Sequence, residues 1–151
     1  MRDVRAGLPE AIFALSDEER RRRVVLSPGG DFATLDGEQH FARALLEVPI
    51  PSEEHCFGWG VWIGLTAADH AEVAKRWVDR ESVGRSYAGW LATDLPPYGS
   101  TLGLFGTLTL RAVDKLPGFE LRDSEHPLVI EQRAGISLDR ARELAEPYQQ
   151  A

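Results

Sequence analysis

The sequence predicts a single α+β domain: a mostly antiparallel β-sheet with helices packed against it and two helices at the C-terminus. Three observations lead to this prediction. Apolar side chains alternate along segments in the middle of the chain, Asp36-Gly37 is a hairpin signal between two of these segments, and the C-terminal part carries helix boundary signals. A length of 151 residues suits one domain. We expect its ordered core to span about residues 7–146, after a short N-terminal tail.

The first part of the chain is predicted to form a short helix followed by strands. Ser16-Asp17-Glu18-Glu19 has the form of a capping box, in which the serine and the second glutamate each bind a backbone N–H of the first turn. The helix runs into four arginines, which we interpret as a solvated helix end rather than an anion-binding patch. Pro28-Gly29-Gly30-Asp31 then marks a turn, and residues 32–35 and 41–48 are predicted strands.

Residues 57–65 form the clearest predicted strand, and its two faces differ in composition. By the two-residue period of a strand, one face carries Phe57, Trp59, Val61, Ile63 and Leu65, and the other carries Gly58, Gly60, Trp62 and Gly64. Glycine weakens a strand interior unless something approaches the backbone closely. The glycine face is therefore predicted either to lie beneath an aromatic ring or a helix, with Trp62 at its flank, or to form a ligand or partner surface.

Further strands and helices complete the predicted sheet. Trp90-Leu91 is a short strand, residues 101–111 are a long strand and residues 119–121 are an edge strand, which brings the sheet to about five strands. Thr66 begins a helix that is predicted to present its small side chains to the sheet. These side chains belong to Ala67, Ala71, Ala74 and Val78, with Trp77 beside them. At the C-terminus, Pro127 and Gly135 bound one helix and Ser137 caps a last one.

The charge balance excludes several classes of partner. The net charge is -7, which disfavours a protein that binds nucleic acid or anionic lipid through clustered basic side chains. An acidic surface is compatible with a basic protein partner, but it also serves simply to keep a protein soluble. The last two helices have the outline of a helix-turn-helix, but acidic residues cancel their three arginines, so DNA binding is not predicted.

The residues that usually hold metals or form disulfides are few and scattered. Cys56 is the only cysteine, so neither an intramolecular disulfide nor a cysteine-rich zinc site is expected. The four histidines, His40, His55, His70 and His126, are not spaced as metal ligands, and no metal or cofactor is predicted. No apolar run approaches the roughly 20 residues that span a bilayer, and no signal peptide is visible. The expected location is the cytoplasm.

No catalytic constellation is recognisable, so no catalytic residue is predicted. The chain lacks a Gly-x-Ser-x-Gly elbow and a phosphate-binding glycine loop followed by lysine. One hypothesis is a non-catalytic binding or interaction module with a protein partner. The alternative is a small-molecule-binding protein or an unrecognised enzyme, and a purely structural role is also open. The oligomeric state is not predicted.

The candidate ligand- or partner-binding residues are mostly aromatic. They are Trp59, Trp62, Trp90, Tyr98, Thr101, His126, Glu131 and Gln132. The alternative hypothesis places Trp62, Trp90, Tyr98 and His126 around one pocket, with Glu131 or Gln132 as polar contacts, since aromatic walls with a few polar groups are typical of such pockets. His126 is predicted at a helix N-cap, where it either acts as a neutral base or hydrogen-bond donor, or simply caps the helix.

Five motifs together resemble a bacterial family known as domain of unknown function 2199. They are Leu8-Pro9, Phe57 to Trp62, Gly89 to Leu91, Leu95 to Leu102, and His126 to Ser137. The resemblance covers about residues 7–146 and implies no activity. Members of that family often begin with Cys-x-x-Cys-Gly followed by histidine, similar to a zinc knuckle. This chain has no cysteine there, so the resemblance implies a member without that metal, stabilised by its core alone.

Overall fold

Five consecutive strands of the chain form a closed β-barrel. The computed structural model describes residues 4–5 and 7–149, and the side chains of residues 7–148. The strands are β1 (Val4–Arg5), β2 (Val24–Leu26), β3 (Phe32–Leu35), β4 (Gln39–Val48), β5 (Phe57–Leu65), β6 (Ser86–Leu91), β7 (Phe105–Thr109) and β8 (Gly118–Leu121). The α-helices are α1 (Glu10–Phe13), α2 (Asp17–Arg23), α3 (Ala67–Arg76), α4 (Pro127–Ala134) and α5 (Leu138–Gln149), and short 3₁₀ helices span Arg80–Ser82 and Pro96–Tyr98.

The barrel closes through one parallel pair of strands. β4 to β8 follow one another as an antiparallel meander, and β8 then returns to β4, where Leu45 lies opposite Gly118. In a meander with an odd number of strands the last strand runs in the same direction as the first, so closure requires a parallel contact. We call this contact between β4 and β8 the parallel seam. β1 pairs with β5, and β3 and β2 extend the sheet from β4. The predicted α+β class and mostly antiparallel sheet are confirmed.

One side-chain face of each barrel strand fills the interior. The apolar cluster takes every second residue of β4 from Ala42 to Val48, and the odd-numbered residues of β5 from Phe57 to Leu65. Leu108 of β7 completes the centre of the cluster. The alternation predicted for residues 57–65 is therefore confirmed, because its large apolar side chains point into the barrel. At about 25 cal/mol for each Å² of apolar surface removed from water, this interior is the main source of stability.

Helices cover the two ends of the barrel. α4 and α5 contribute Leu128 and Leu144 to the core at the end where β4 finishes. α3 packs at the other end, where the Phe32 ring contacts the ring of Trp77 with 4.6 Å between centroids. The predicted alanine face of α3 was wrong: those alanines and Val78 are exposed. Larger side chains one position away on α3 remove more apolar surface from water than alanine methyl groups do. These larger side chains therefore pack against the barrel in place of the alanines.

The glycine face of β5 lies on the outside of the barrel, and its residues are buried. Trp62 is buried there in a second apolar cluster with Ile12 of α1 and Phe41 of β4. The Trp90 indole lies so close over Gly64 that an added Cβ at Gly64 would collide with it. Of the two interpretations of this face, an aromatic ring over glycine is confirmed at Gly64.

Several predicted boundaries differ from those observed. The long strand predicted at residues 101–111 is limited to β7, because the chain turns at Gly103, which has φ +82°. β6 is longer than the predicted Trp90-Leu91 strand, and β1, β2 and α1 were not predicted. The sheet therefore has eight strands among the described residues, rather than about five. Over that same part of the chain, no helix is long and apolar enough to cross a membrane.

Candidate functional site

His126 anchors the start of the C-terminal motif. Its Nδ1 accepts a hydrogen bond from the backbone N–H of Leu128 at 3.1 Å, and its Nε2 lies 2.8 Å from the carbonyl oxygen of Ser100. These two partners fit the neutral tautomer whose hydrogen is on Nε2. The imidazole therefore caps α4 and joins it to the loop that precedes β7, and both ring nitrogens are engaged.

Glu131 links α4 to α5 and to the aromatic interior. One carboxylate oxygen accepts a hydrogen bond from the Tyr98 hydroxyl at 3.1 Å, and the other accepts from the Arg140 guanidinium at 3.0 Å. Burial strongly raises the pKa of Tyr98, Trp59 opposes the rise, and the Glu131 carboxylate adds to it. Tyr98 is consequently a neutral hydrogen-bond donor. The two residues form a fixed polar contact at the end of the barrel.

Gln132 supplies hydrogen bonds at the parallel seam. Its Oε1 accepts from the backbone N–H of Leu121 at 2.8 Å, and its Nε2 donates to the carbonyl oxygens of Phe119 at 2.9 Å and Glu47 at 3.3 Å. Since β4 and β8 share a single bridge, these strands offer each other few backbone partners. One amide side chain on α4 therefore satisfies groups on both strands.

Thr101 is buried, and its hydroxyl both donates and accepts a hydrogen bond within the protein. Its Oγ1 donates to the carbonyl oxygen of Thr93 at 2.9 Å and accepts from the backbone N–H of Leu95 at 2.9 Å. This pair of bonds closes the loop that carries the Pro96–Tyr98 turn. The loop in turn positions Tyr98 beside Glu131.

The aromatic candidates are divided between two faces of β5. Trp59 points into the barrel and meets Tyr98 edge-on, with 6.1 Å between ring centroids. Trp62 points outward, where its indole N–H donates to the carbonyl oxygen of Gly7 at 3.0 Å. Trp90 also covers the outer face. The structure thus brings Trp59 and Tyr98 together and separates both from Trp62 and Trp90, and a binding role for these residues stays a prediction.

A small aromatic cavity lies beside Trp59. Its volume is about 240 Å³, and its walls include Phe13, Trp59, Leu95 and Tyr148. The Trp59 indole N–H is close enough to the Tyr98 hydroxyl to lower that group's pKa, but it lies outside the geometry of a full hydrogen bond. Oδ1 of Asp94, which also lines the cavity, is buried without a hydrogen-bond partner. A donor and an acceptor are therefore only partly satisfied at one apolar cavity.

A much larger cleft runs along the outside of the barrel over the parallel seam. Its volume is about 680 Å³, and its lining comes from β4, β7, β8 and α4. A second cleft of about 330 Å³ shares Glu47 and Arg111 with it, and a third of about 380 Å³ shares Thr107 and Glu120. We call the three together the outer groove. Gly118 lies between its paired residues on β4 and β7. Because it has no side chain, the outer groove is deeper at the parallel seam.

The outer groove is richer in basic than in acidic side chains. Arg111 lies across its floor, where Nη1 is 2.6 Å from the Glu47 carboxylate and Nε donates to the carbonyl oxygen of Leu116 at 2.8 Å. The basic side chains that line the groove are Arg43, Arg111, Lys115, Arg122 and Arg133, and the acidic ones are Glu47, Glu120 and Asp123. Ion pairs join Arg43 to Asp31, Arg111 to Glu47 and Arg133 to Asp123. Lys115 and Arg122 are the basic groups of the groove that have no ion pair among the described residues, in a chain whose net charge is -7.

Sequence reasoning missed the outer groove because its lining comes from four distant segments. The outward position of Thr107 and Thr109 was visible in the alternation of the predicted strand. The pairing of Leu45 with Gly118 left no local signal, and this pairing is what places the threonines beside Glu47.

Comparison with known proteins identifies the family. A family model described as "Uncharacterized protein conserved in bacteria (DUF2199)" matches residues 1–136. The chain belongs to this family. The match extends through the barrel and α4 and ends at Ile136, just before α5. Comparisons with curated proteins and with solved structures give no match. Membership in the family confirms the resemblance of the motifs, and the family description gives no activity.

Proposed function

We propose that this protein is a non-catalytic binding module, and that its partner is an acidic, extended segment of another protein lying in the outer groove. The observation that carries the proposal is that Lys115 and Arg122, two basic side chains without an ion pair among the described residues, lie in this groove of an acidic chain. Complementary charges attract the matching partner and disfavour others. An acidic segment would find basic groups concentrated in the groove, while the rest of the surface would repel it.

The shape of the groove also supports an extended partner. Small-molecule sites usually enclose most of the ligand surface. Here the three adjoining clefts are open to solvent and follow one another across the barrel wall. Thr107 and Glu120 stand opposite each other on β7 and β8, both exposed within the groove, and offer hydrogen bonds to a backbone laid across them. A row of open polar groups of this kind suits a peptide better than a compact ligand.

The experiment is site-specific photocrosslinking in the bacterium that makes the protein. A benzoylphenylalanine replaces Thr107 in the groove, and the matched control places it at Ala74, an exposed position on α3. We expect a discrete adduct from position 107 alone, and mass spectrometry of that adduct should locate the crosslink in an acidic segment. Addition of Lys115→Glu and Arg122→Glu should remove the adduct.

Three results would contradict the proposal. One is equal labelling from positions 107 and 74, because it would show contact without a preferred surface. Another is no adduct from position 107 while the protein is folded and abundant. The third is an adduct that survives reversal of the charges at Lys115 and Arg122, since these side chains carry no ion pair with an acidic group in the described part of the chain.

A second candidate function is small-ligand binding in the aromatic cavity. The specific observation in its favour is the buried Asp94 oxygen without a hydrogen-bond partner, in the cavity that Trp59 also lines. An apolar ligand with one donor group would satisfy Asp94 and stack on aromatic walls. Native mass spectrometry of the protein from its own host tests this. A non-covalent adduct that is lost in Asp94→Ala supports the candidate, and an adduct-free spectrum opposes it.

A further inference from the structure

Two histidines that are 30 positions apart in sequence meet at one end of the barrel. His40 lies at the start of β4, and His70 lies in the first half of α3, which packs at that end. Their ring centroids are 5.0 Å apart and the ring planes are inclined by 46°. His70 belongs to the side of α3 that faces the sheet, and its ring contacts the edge of Phe32 at 5.4 Å. Neither histidine belongs to the outer groove or to the C-terminal motif.

Each of these two rings has one buried nitrogen without a hydrogen-bond partner. The atoms are Nδ1 of His40 and Nε2 of His70. Buried polar atoms in folded proteins are nearly always paired with protein or with ordered water, so two unpaired atoms on touching rings call for an explanation. A bound cation would satisfy both, because neutral imidazole nitrogens are among the commonest metal ligands.

The separation of the rings also fits coordination geometry. With a zinc–nitrogen distance of about 2.1 Å, a metal lies about 3.2 Å from the centre of each imidazole ring. Two ring centres 5.0 Å apart therefore lie within the roughly 6.4 Å that two imidazoles can span across one shared metal. Stacking of the two histidine rings alone would not explain why each ring has a buried nitrogen without a hydrogen-bond partner.

We propose that Nδ1 of His40 and Nε2 of His70 form a two-histidine site for a divalent transition-metal cation such as Zn²⁺. In the described part of the chain, no group of three or more histidine, cysteine, aspartate or glutamate side chains could hold a metal. The protein therefore supplies two ligands, and water or an external ligand takes the remaining positions. Such an incomplete site binds its metal reversibly and leaves positions open for exchange.

Titration of the metal-free protein with ZnCl₂ tests the site. The readouts are calorimetry and the ¹⁵N shifts of the histidine rings. We expect one Zn²⁺ for each chain, with shifts at Nδ1 of His40 and Nε2 of His70. In His40→Gln and His70→Gln the dissociation constant should rise at least about tenfold. The control His55→Gln alters an exposed histidine outside the pair and should bind as the parent does.

Two outcomes overturn the proposal. One is the absence of saturable binding at millimolar ZnCl₂ while the protein is folded. The other is binding that is lost in His55→Gln, or that persists unchanged when either His40 or His70 is replaced. Tryptophan fluorescence checks that the variants are folded. If a single replacement unfolds the chain, the ring ¹⁵N shifts of the parent protein still decide the question, because they show which nitrogens the metal touches.

Discussion

The C-terminal motif and the outer groove both contain many polar side chains, but they use them differently. In the motif, His126, Glu131 and Gln132 each have defined partners that join α4 to strands, loops or α5. In the groove, Thr107 and Glu120 are exposed side by side on the barrel wall. His126, Glu131 and Gln132 therefore act on stability, although Gln132 also lines the edge of the groove, whereas Thr107 and Glu120 are available to a partner. Density of polar residues in a sequence does not by itself mark a binding site.

The largest expected effect is at Gln132. Replacement by alanine leaves the N–H of Leu121 and the carbonyl oxygens of Phe119 and Glu47 without their side-chain partner. An unsatisfied group costs about 1–3 kcal/mol when it is buried, and these three groups are part-buried, so we expect the free energy of unfolding to fall by about 3 kcal/mol in total. Urea denaturation measures this. The control Gln39→Ala, at an exposed position, should change it by less than about 0.5 kcal/mol.

Gly135 is the next most sensitive position of the motif. It has φ +85°, and an added Cβ would lie 2.9 Å from Cδ of Pro51 and 3.0 Å from the carbonyl oxygen of Pro49. Gly135→Ala therefore combines backbone strain with collision, and we expect a loss of about 2–3 kcal/mol. Gly30→Ala has a similar φ of +76° with open space around it, so it should cost only about 1 kcal/mol. If thermal denaturation shows the same loss of stability for Gly135→Ala and Gly30→Ala, the predicted collision is ruled out.

A smaller effect is expected at His126. His126→Ala removes the cap of α4 and the bond to Ser100, with an expected loss of about 1 kcal/mol. His126→Asn keeps an oxygen that can accept from the N–H of Leu128, so it should recover part of that loss. Chemical denaturation of the two variants distinguishes them. If alanine and asparagine are equivalent, capping is not what His126 contributes.

The smallest effect on stability is expected in the outer groove. Lys115→Glu with Arg122→Glu should change the free energy of unfolding by less than about 0.5 kcal/mol, because both side chains are exposed. The same double variant is expected to lose the partner adduct. A loss of stability comparable to that of Gln132→Ala would mean that the groove is structural, and it would remove the contrast between the two regions.

Sequence patterns correctly predicted the features that are formed by residues close together in the chain. The alternation along β5 located the barrel interior, and the capping box at Ser16 is formed, with its hydroxyl accepting from the Glu19 N–H at 3.2 Å. The His126 cap and the glycine just after α4 were likewise visible in the sequence. Each of these features depends on residues a few positions apart, so one short segment of the sequence is enough to predict it.

Pairings between distant segments could not be predicted in the same way. The parallel seam joins Leu45 to Gly118, and the histidine pair joins a strand to a helix. The prediction for α3 failed for a related reason. Small alanines can pack against a sheet, but the aromatic side chain of Phe32 made contact with the larger Trp77 more favourable. Most candidate residues were therefore placed correctly in their elements, but not in a common pocket, and Thr101 lies in a loop rather than in the predicted strand.

The parallel seam has a consequence for the order in which the chain folds. Every other contact round the barrel joins strands that are neighbours in sequence, whereas the seam joins residues more than 70 positions apart. Long loops cost more entropy to close, and pairings between distant residues slow folding. We therefore expect the meander to form first and the seam to close last. Hydrogen exchange should reveal β8 and the start of α4 as the first part of the barrel to open, exposing the floor of the outer groove.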